Sequence, residues 1–207
     1  RNNLSEAIGF AGFFVIPAVT GLVICGLPII KGLFVYGAFT IGDAKMAAMA
    51  MGAYGCGLPG FVMVKILQTA FYATSQPISV LKISLITVAV NVTGSLLLMP
   101  ILGHVGLALA TAVSGTIAAA IMFFLLARQR RLSDSFLPAC GKIILASAVM
   151  GVAIIFLQFG LERFVIVPAA VGLMVIVGGG GAVYAVIAYV IGAVPAGLLQ
   201  QSHDRNT

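Results

Sequence analysis

Lys65 is the one charged side chain set well inside a long apolar run of this chain. It lies roughly two helical turns from the end of its run near Thr74, at about 1.5 Å of rise per residue. A charge at such depth is expensive, so it pairs, snorkels or serves a function. Two readings follow. The long stem can carry the ammonium back to the interface, or it faces a polar cavity and meets an anionic substrate group. The same run is broken by Gly55, Gly57, Leu58-Pro59 and Gly60. A proline removes an i→i−4 hydrogen bond and kinks a helix, and broken membrane helices build polar backbone sites. On the second reading Lys65, Gly57, Pro59 and Gly60 line a substrate cavity.

Two other runs carry polar side chains, Asn91-Val92-Thr93-Gly94-Ser95 and then Thr111, Ser114 and Thr116. Asn91 and Ser95 are four apart and share a helix face, as do Leu107 and Thr111. A tight turn around Gly103-His104 sets the two faces side by side. They then serve either as hydrogen-bonding glue between helices or as a small cation site of amide, hydroxyl and carbonyl oxygens. The run Gly178-Gly179-Gly180-Gly181 follows no strand, so it is no phosphate cradle. It allows the close approach of a neighbouring helix, or it forms the floor of a groove for a lipid tail.

Enzyme chemistry finds little support. There is no HExxH, no P-loop and no nucleophile elbow. Cys25, Cys56 and Cys140 fall on three different runs without CxxC spacing, and the only histidines are His104 and His203. No catalytic residue, no metal site and no cofactor is expected beyond that candidate cation.

The elements that must position these residues follow from composition. The chain is 61% apolar and 8% charged, against about 25% charged residues in an ordinary soluble domain. In lipid every backbone N–H and C=O must be satisfied internally. The runs are too long and unbroken for barrel strands, which alternate apolar and polar. The expected fold is all-α, a polytopic transmembrane helix bundle of six spans: 7–30, 44–73, 79–101, 105–127, 139–159 and 165–193. Arg1–Glu6 reads as a loop leading into a helix, and the chain reads as the C-terminal fragment of a larger membrane protein. The polar pieces are the linker Arg128–Ser135 and the tail Gln200–Thr207. The net charge of +6 does not indicate nucleic acid, because the positives sit at helix ends rather than on a soluble face.

Those positives orient the bundle. With the Arg128–Ser135 linker in the cytoplasm, Arg1, Lys82, Arg128, Arg130, Arg131, Lys142 and Arg205 fall inside, and Lys31, Lys45 and Arg163 fall outside. The positive-inside bias therefore puts both ends of the chain in the cytoplasm. The run Arg128-Gln129-Arg130-Arg131 is the strongest anchor and suits anionic headgroups.

Several of these pieces also recur in one order: Leu33-Phe34-Val35-Tyr36-Gly37-Ala38-Phe39, Asp43, Tyr54-Gly55-Cys56-Gly57-Leu58-Pro59-Gly60, Lys65-Ile66-Leu67 and Ala70-Phe71-Tyr72-Ala73. Val90-Asn91 and Gly106-Leu107-Ala108-Leu109-Ala110-Thr111 continue it. This order resembles the MviN/MurJ family of lipid II flippases, in the multidrug/oligosaccharidyl-lipid/polysaccharide exporter superfamily, most densely from 28 to 128. The resemblance implies the C-terminal lobe of a two-lobed flippase over 1–131, and over 132–207 an extra helix pair, which forms a lipid-tail groove, with a cytoplasmic tail. It implies a multi-pass protein of the bacterial inner membrane that moves the undecaprenyl-pyrophosphate-linked precursor, lipid II, by alternating access. Its partners are then lipid II and membrane lipids. Some members bind sodium at positions matching Asn91, Ser95, Leu107 and Thr111, with an acid where this chain has Ser95. The family's charged loop before a Thr-Pro is replaced here by Thr74-Ser75-Gln76-Pro77. The competing readings are a related exporter of drugs or polysaccharide-lipid carriers and, from other classes, an integral membrane transferase or a scaffold.

Overall fold

A computed structural model gives the structure of residues 2–34, 39–128, 136–164 and 169–192, with side chains described for 4–34, 39–128, 141–160 and 171–192. Six helices follow in order: α1 (Asn2–Phe34), α2 (Ile41–Ala73), α3 (Pro77–Leu102), α4 (His104–Arg128), α5 (Phe136–Phe164) and α6 (Ala169–Val190). All six are long and apolar enough to cross a membrane, and no strand occurs among the described residues. The chain is a multi-pass membrane bundle. Arg1, Arg130, Arg131, the boundary at 131/132 and the polar tail lie outside the described residues.

Local chemistry sets the helix ends. Thr40 and Asp43 form a capping box at the start of α2, each side chain meeting the other's backbone N–H, which satisfies two donors a helix start leaves open. Pro77 opens α3, where its missing N–H costs nothing. Gly103 takes φ +55° between α3 and α4, a conformation that a side chain disfavours, and so permits the tight turn expected there. Gly192, at φ +63°, ends the turn that follows α6.

The first helix departs from expectation. Residues 2–6 are helical rather than a loop. Leu4 and Ile8 pack with Leu67 and Phe71 of α2, Val80 and Ile83 of α3, and Met122 and Leu126 of α4, and this tertiary burial extends the helix past its apolar pattern. At 33 residues each, α1 and α2 span about 50 Å, more than the ~30 Å hydrocarbon core. They tilt or project beyond it.

The order of packing is α3–α4–α2–α1, and α5 and α6 join on α1. Among the described residues α5 and α6 touch no other helix of the four. α1 therefore belongs to two cores. One is the four-helix cluster at its start. The other joins Phe13 and Cys25 of α1 to Ile143, Met150 and Ile154 of α5 and Ile176, Tyr184 and Ala188 of α6.

Small residues make the α2–α4 seam. A Cβ on Gly57 would lie 2.7 Å from the Ala112 Cα, and one on Gly60 would lie 2.9 Å from the Thr116 Cα and N. Backbone cannot yield as a side-chain tip can, so overpacking here costs about 1–3 kcal/mol. Gly57→Ala is expected to lower thermal stability in detergent by that amount. Gly52→Ala, with nothing within 4 Å of the added methyl, is expected to leave it unchanged or raised. Equal melting of the two variants would show that the seam opens readily.

Candidate functional site

The α2 residues singled out by sequence do not share one surface. Gly57 and Gly60 are buried against α4, and Gly55 is buried against Leu22 of α1. Lys65 and Pro59 are exposed, but six residues separate them, which on a helix of 100° per residue is about 120° of rotation. Lys65 instead lines up with Tyr54 and Tyr72, each within about 20° of it at the same periodicity. Both tyrosines are exposed, as is Thr69 one turn along. The Thr69 hydroxyl donates to the Lys65 carbonyl at 3.1 Å, so it is satisfied within its own helix. The result is a stripe of tyrosine, lysine and threonine down one side of a mostly apolar helix. It can offer a cation and hydroxyl groups to a polar, anionic group. Sequence reading found Lys65 but not the tyrosines, which show only when 54, 65 and 72 are laid on one helix face.

The α3–α4 polar residues do meet. Asn91 Nδ2 donates to Thr111 Oγ1 at 3.0 Å and to Ser114 Oγ at 3.2 Å. The Thr111 hydroxyl donates to the Leu107 carbonyl at 2.9 Å, and the Ser114 hydroxyl donates to the Thr111 carbonyl at 3.0 Å. Asn91, Leu107 and Thr111 are thus joined in one network. Ser114 belongs to it although sequence reading left it out of the site; its place three residues after Thr111 was the available signal. Ser95 is half-buried one turn from Asn91 and makes no hydrogen bond in this network.

In this arrangement the side-chain groups are engaged with one another and with the backbone. The Asn91 amide hydrogens point at the two hydroxyl oxygens that an ion would need, and both hydroxyl hydrogens are committed to backbone carbonyls. No group of three acidic, His or Cys side chains that could hold a metal occurs among the described residues. What the network does is tie α3 to α4.

The glycine run of α6 divides between two surroundings. A Cβ on Gly180 would come 2.7 Å from Ile154, and one on Gly179 would come 3.1 Å from Leu157, so both lie against α5. Gly178 and Gly181 are exposed with nothing near. Met174 and Ala185, also exposed, extend them into a shallow apolar stripe along one face, since positions 174, 178, 181 and 185 recur at helical spacing.

Breaking the Asn91 network has a measurable size. Hydrogen bonds between membrane helices are worth about 0.6 kcal/mol on average and up to about 1.7. Asn91→Leu is expected to lower stability within that range. The melting temperature of the unsubstituted protein is expected to be the same in sodium and in potassium. A rise specific to sodium would restore the cation reading.

Comparison with known proteins adds independent information. The family model described as Lipid II flippase MurJ matches residues 1–175. A probable lipid II flippase MurJ of Rhizobium tropici is 32% identical over 99% of this chain and 40% of its own length. The corresponding protein of Thermotoga maritima is 35% identical over 76% of this chain and 32% of its own. A solved lipid II flippase MurJ in an inward closed conformation superposes with a TM-score of 0.74 at 24% identity, covering 91% of this chain and 38% of that one; this likeness shows the fold. The chain spans about two fifths or less of the length of these relatives. With more than half of its residues matched to one family model, and the fold to go with them, the chain belongs to the lipid II flippase MurJ family.

Proposed function

We propose that this chain is the C-terminal part of a flippase that carries a lipid-linked peptidoglycan precursor, lipid II, across the bacterial inner membrane by alternating access. The family match over 1–175 carries this reading, and the Lys65 stripe gives it a mechanism. The substrate joins a pyrophosphate headgroup to a long polyprenyl tail. The headgroup needs cations and hydroxyl donors away from lipid, because charge-assisted hydrogen bonds are among the strongest available. Lys65, flanked by Tyr54 and Tyr72, supplies one such contact. The tail needs a continuous apolar surface, since exposed apolar area costs about 25 cal/mol per Å² in water. The Met174–Ala185 stripe past Gly178 and Gly181 serves that need, whereas Gly179 and Gly180 serve packing against α5.

In this reading residues 1–131 form the C-terminal lobe, and 132–207 form the helix pair that guides the tail, with both ends in the cytoplasm. Chemistry is transport, not catalysis. The side chains bind, orient and release, and α2, broken at Pro59, moves against its neighbours between inward-open and outward-open states.

Lys65→Met in the full-length protein is expected to insert normally yet reduce flipping about 10- to 100-fold, as the loss of one charged hydrogen bond of about 1.5–3 kcal/mol predicts. Lys65→Arg is expected to retain part of the activity. Normal growth of a flippase-depleted strain on Lys65→Met would remove Lys65 from the transport path. The topology is tested separately by single cysteines at Ser75 and His104 in a protein without its natural cysteines. Membrane-impermeant reagent added outside the inner membrane is expected to label position 104 and spare position 75. Labelling of both would overturn the orientation.

A further inference from the structure

We infer that Tyr184 and Gln158 act as replacement donors at the two proline bends of α1 and thereby fix α5 and α6 to α1 as one moving body. A proline has no N–H, so the carbonyl four residues before it loses its helical partner. Pro17 frees the carbonyl of Phe13, and Pro28 frees that of Ile24. Both freed carbonyls are met by side chains from the last two helices. The Tyr184 hydroxyl of α6 donates to the Phe13 carbonyl at 2.6 Å, and its ring rests on the Phe13 ring with centroids 5.3 Å apart. Gln158 Nε2 of α5 donates to the Ile24 carbonyl at 3.4 Å and to Cys25 Sγ at 3.7 Å.

The coincidence is informative. The two contacts sit eleven residues apart on α1, about 16 Å along the helix, and each falls on the one carbonyl that its proline has orphaned. Water cannot satisfy these groups in the hydrocarbon region, so the pair's docking position on α1 is set by polar need as well as by packing. α1 is also the only one of the first four helices that α5 and α6 touch among the described residues. The breaks in α2 and α3 differ. Pro59 and Pro100 free the carbonyls of Gly55 and Leu96, and among the described residues no side chain donates to either. α1 is thus tied at both of its bends, and α2 keeps an untied one. A conformational change in the bundle then bends α2 and carries α1, α5 and α6 together.

The inference concerns docking and stands whether or not the substrate is lipid II. Its test is a double-mutant cycle in the full-length protein. Every other cysteine of the full-length protein, Cys56 and Cys140 included, is replaced by Ser, leaving Cys25, which is 1% exposed in the α1–α5–α6 core. The rate at which Cys25 reacts with a thiol reagent then reports separation of the pair from α1. Tyr184→Phe keeps the ring and removes the donor, and is expected to raise that rate about threefold, the size of an average interhelical hydrogen bond in a membrane. Pro17→Ala returns an N–H to the Phe13 carbonyl, so in that background Tyr184→Phe is expected to change the rate little. The pair Gln158→Leu and Pro28→Ala is expected to show the same coupling with a smaller factor, its bond being longer. If Tyr184→Phe has the same effect with Pro17 in place and in the Pro17→Ala background, or none in either, the tyrosine acts through packing alone and the inference is overturned.

Discussion

A backbone in hydrocarbon has no water to fall back on, and the architecture of this chain follows from that. Each segment becomes a helix because a helix pairs its own N–H and C=O groups. Yet four prolines lie inside α1, α2 and α3, and each removes one of those pairs. The bundle answers differently at each place. α1 borrows a tyrosine and a glutamine from α6 and α5. α2 and α3 rely on no such side chain, and α2 is held instead by backbone-close contacts with α4 and α1. Tyr184 and Gln158 are therefore more than scattered glue, since each sits where the backbone of α1 is short of a partner.

The rest of the cohesion comes from closeness. Lipid tails are as apolar as leucine, so helices in a membrane gain little from burying aliphatic side chains against one another and gain more where small residues bring backbones together. Gly57 on Ala112 and Gly60 on Thr116 are contacts of that kind, as is Gly94 on Ala110 across the α3–α4 interface. The Asn91 network adds direction to that interface. It fixes the rotation of α3 relative to α4 because the amide must point at two particular hydroxyls.

What could be read beforehand follows from the same physics. The six spans and the all-α class are stated by hydropathy, which is a property of each segment alone. The pairing of Asn91 with Thr111 was also readable, because a tight turn at Gly103 leaves two adjacent helices little freedom of register. The glycines of α2 were readable as a break but not as a seam, since a glycine says that something comes close without saying what. The early start of α1 was hidden because Asn2, Asn3, Ser5 and Glu6 are polar, and only the burial of Leu4 and Ile8 among three other helices keeps that turn helical. Tyr184 and Gln158 went unnoticed although a signal existed. Each is one of few polar side chains in its span, beside Ser147 in α5 and Tyr189 in α6, and each proline upstream creates one unmet acceptor. Counting orphaned carbonyls against isolated donors would have suggested the match without saying which pairs with which.

Alternating access requires a bundle that is rigid in blocks and soft between them. The α1 helix joins two separate cores, one shared with α2, α3 and α4 and the other with α5 and α6. The first lies at its start, where four helices converge, and the second runs along much of its length. A helix committed to two cores cannot bend between them without loosening one, unless its bends are already fixed. Two occupied carbonyls fix them. The compliance must then reside in a helix with a break and fewer polar ties, and α2 has both, at Pro59. Its seam with α4 is close-set around Gly57 and Gly60, while further along Leu67 and Phe71 are buried with Met122 and Leu126, which leaves the break at Pro59 as the point where the helix can flex. On the proposed function, Lys65 and its tyrosines ride on that helix. The contact to the headgroup and the bend that opens one side or the other then belong to one element, and binding can bias the bend only through a difference in affinity between the two states.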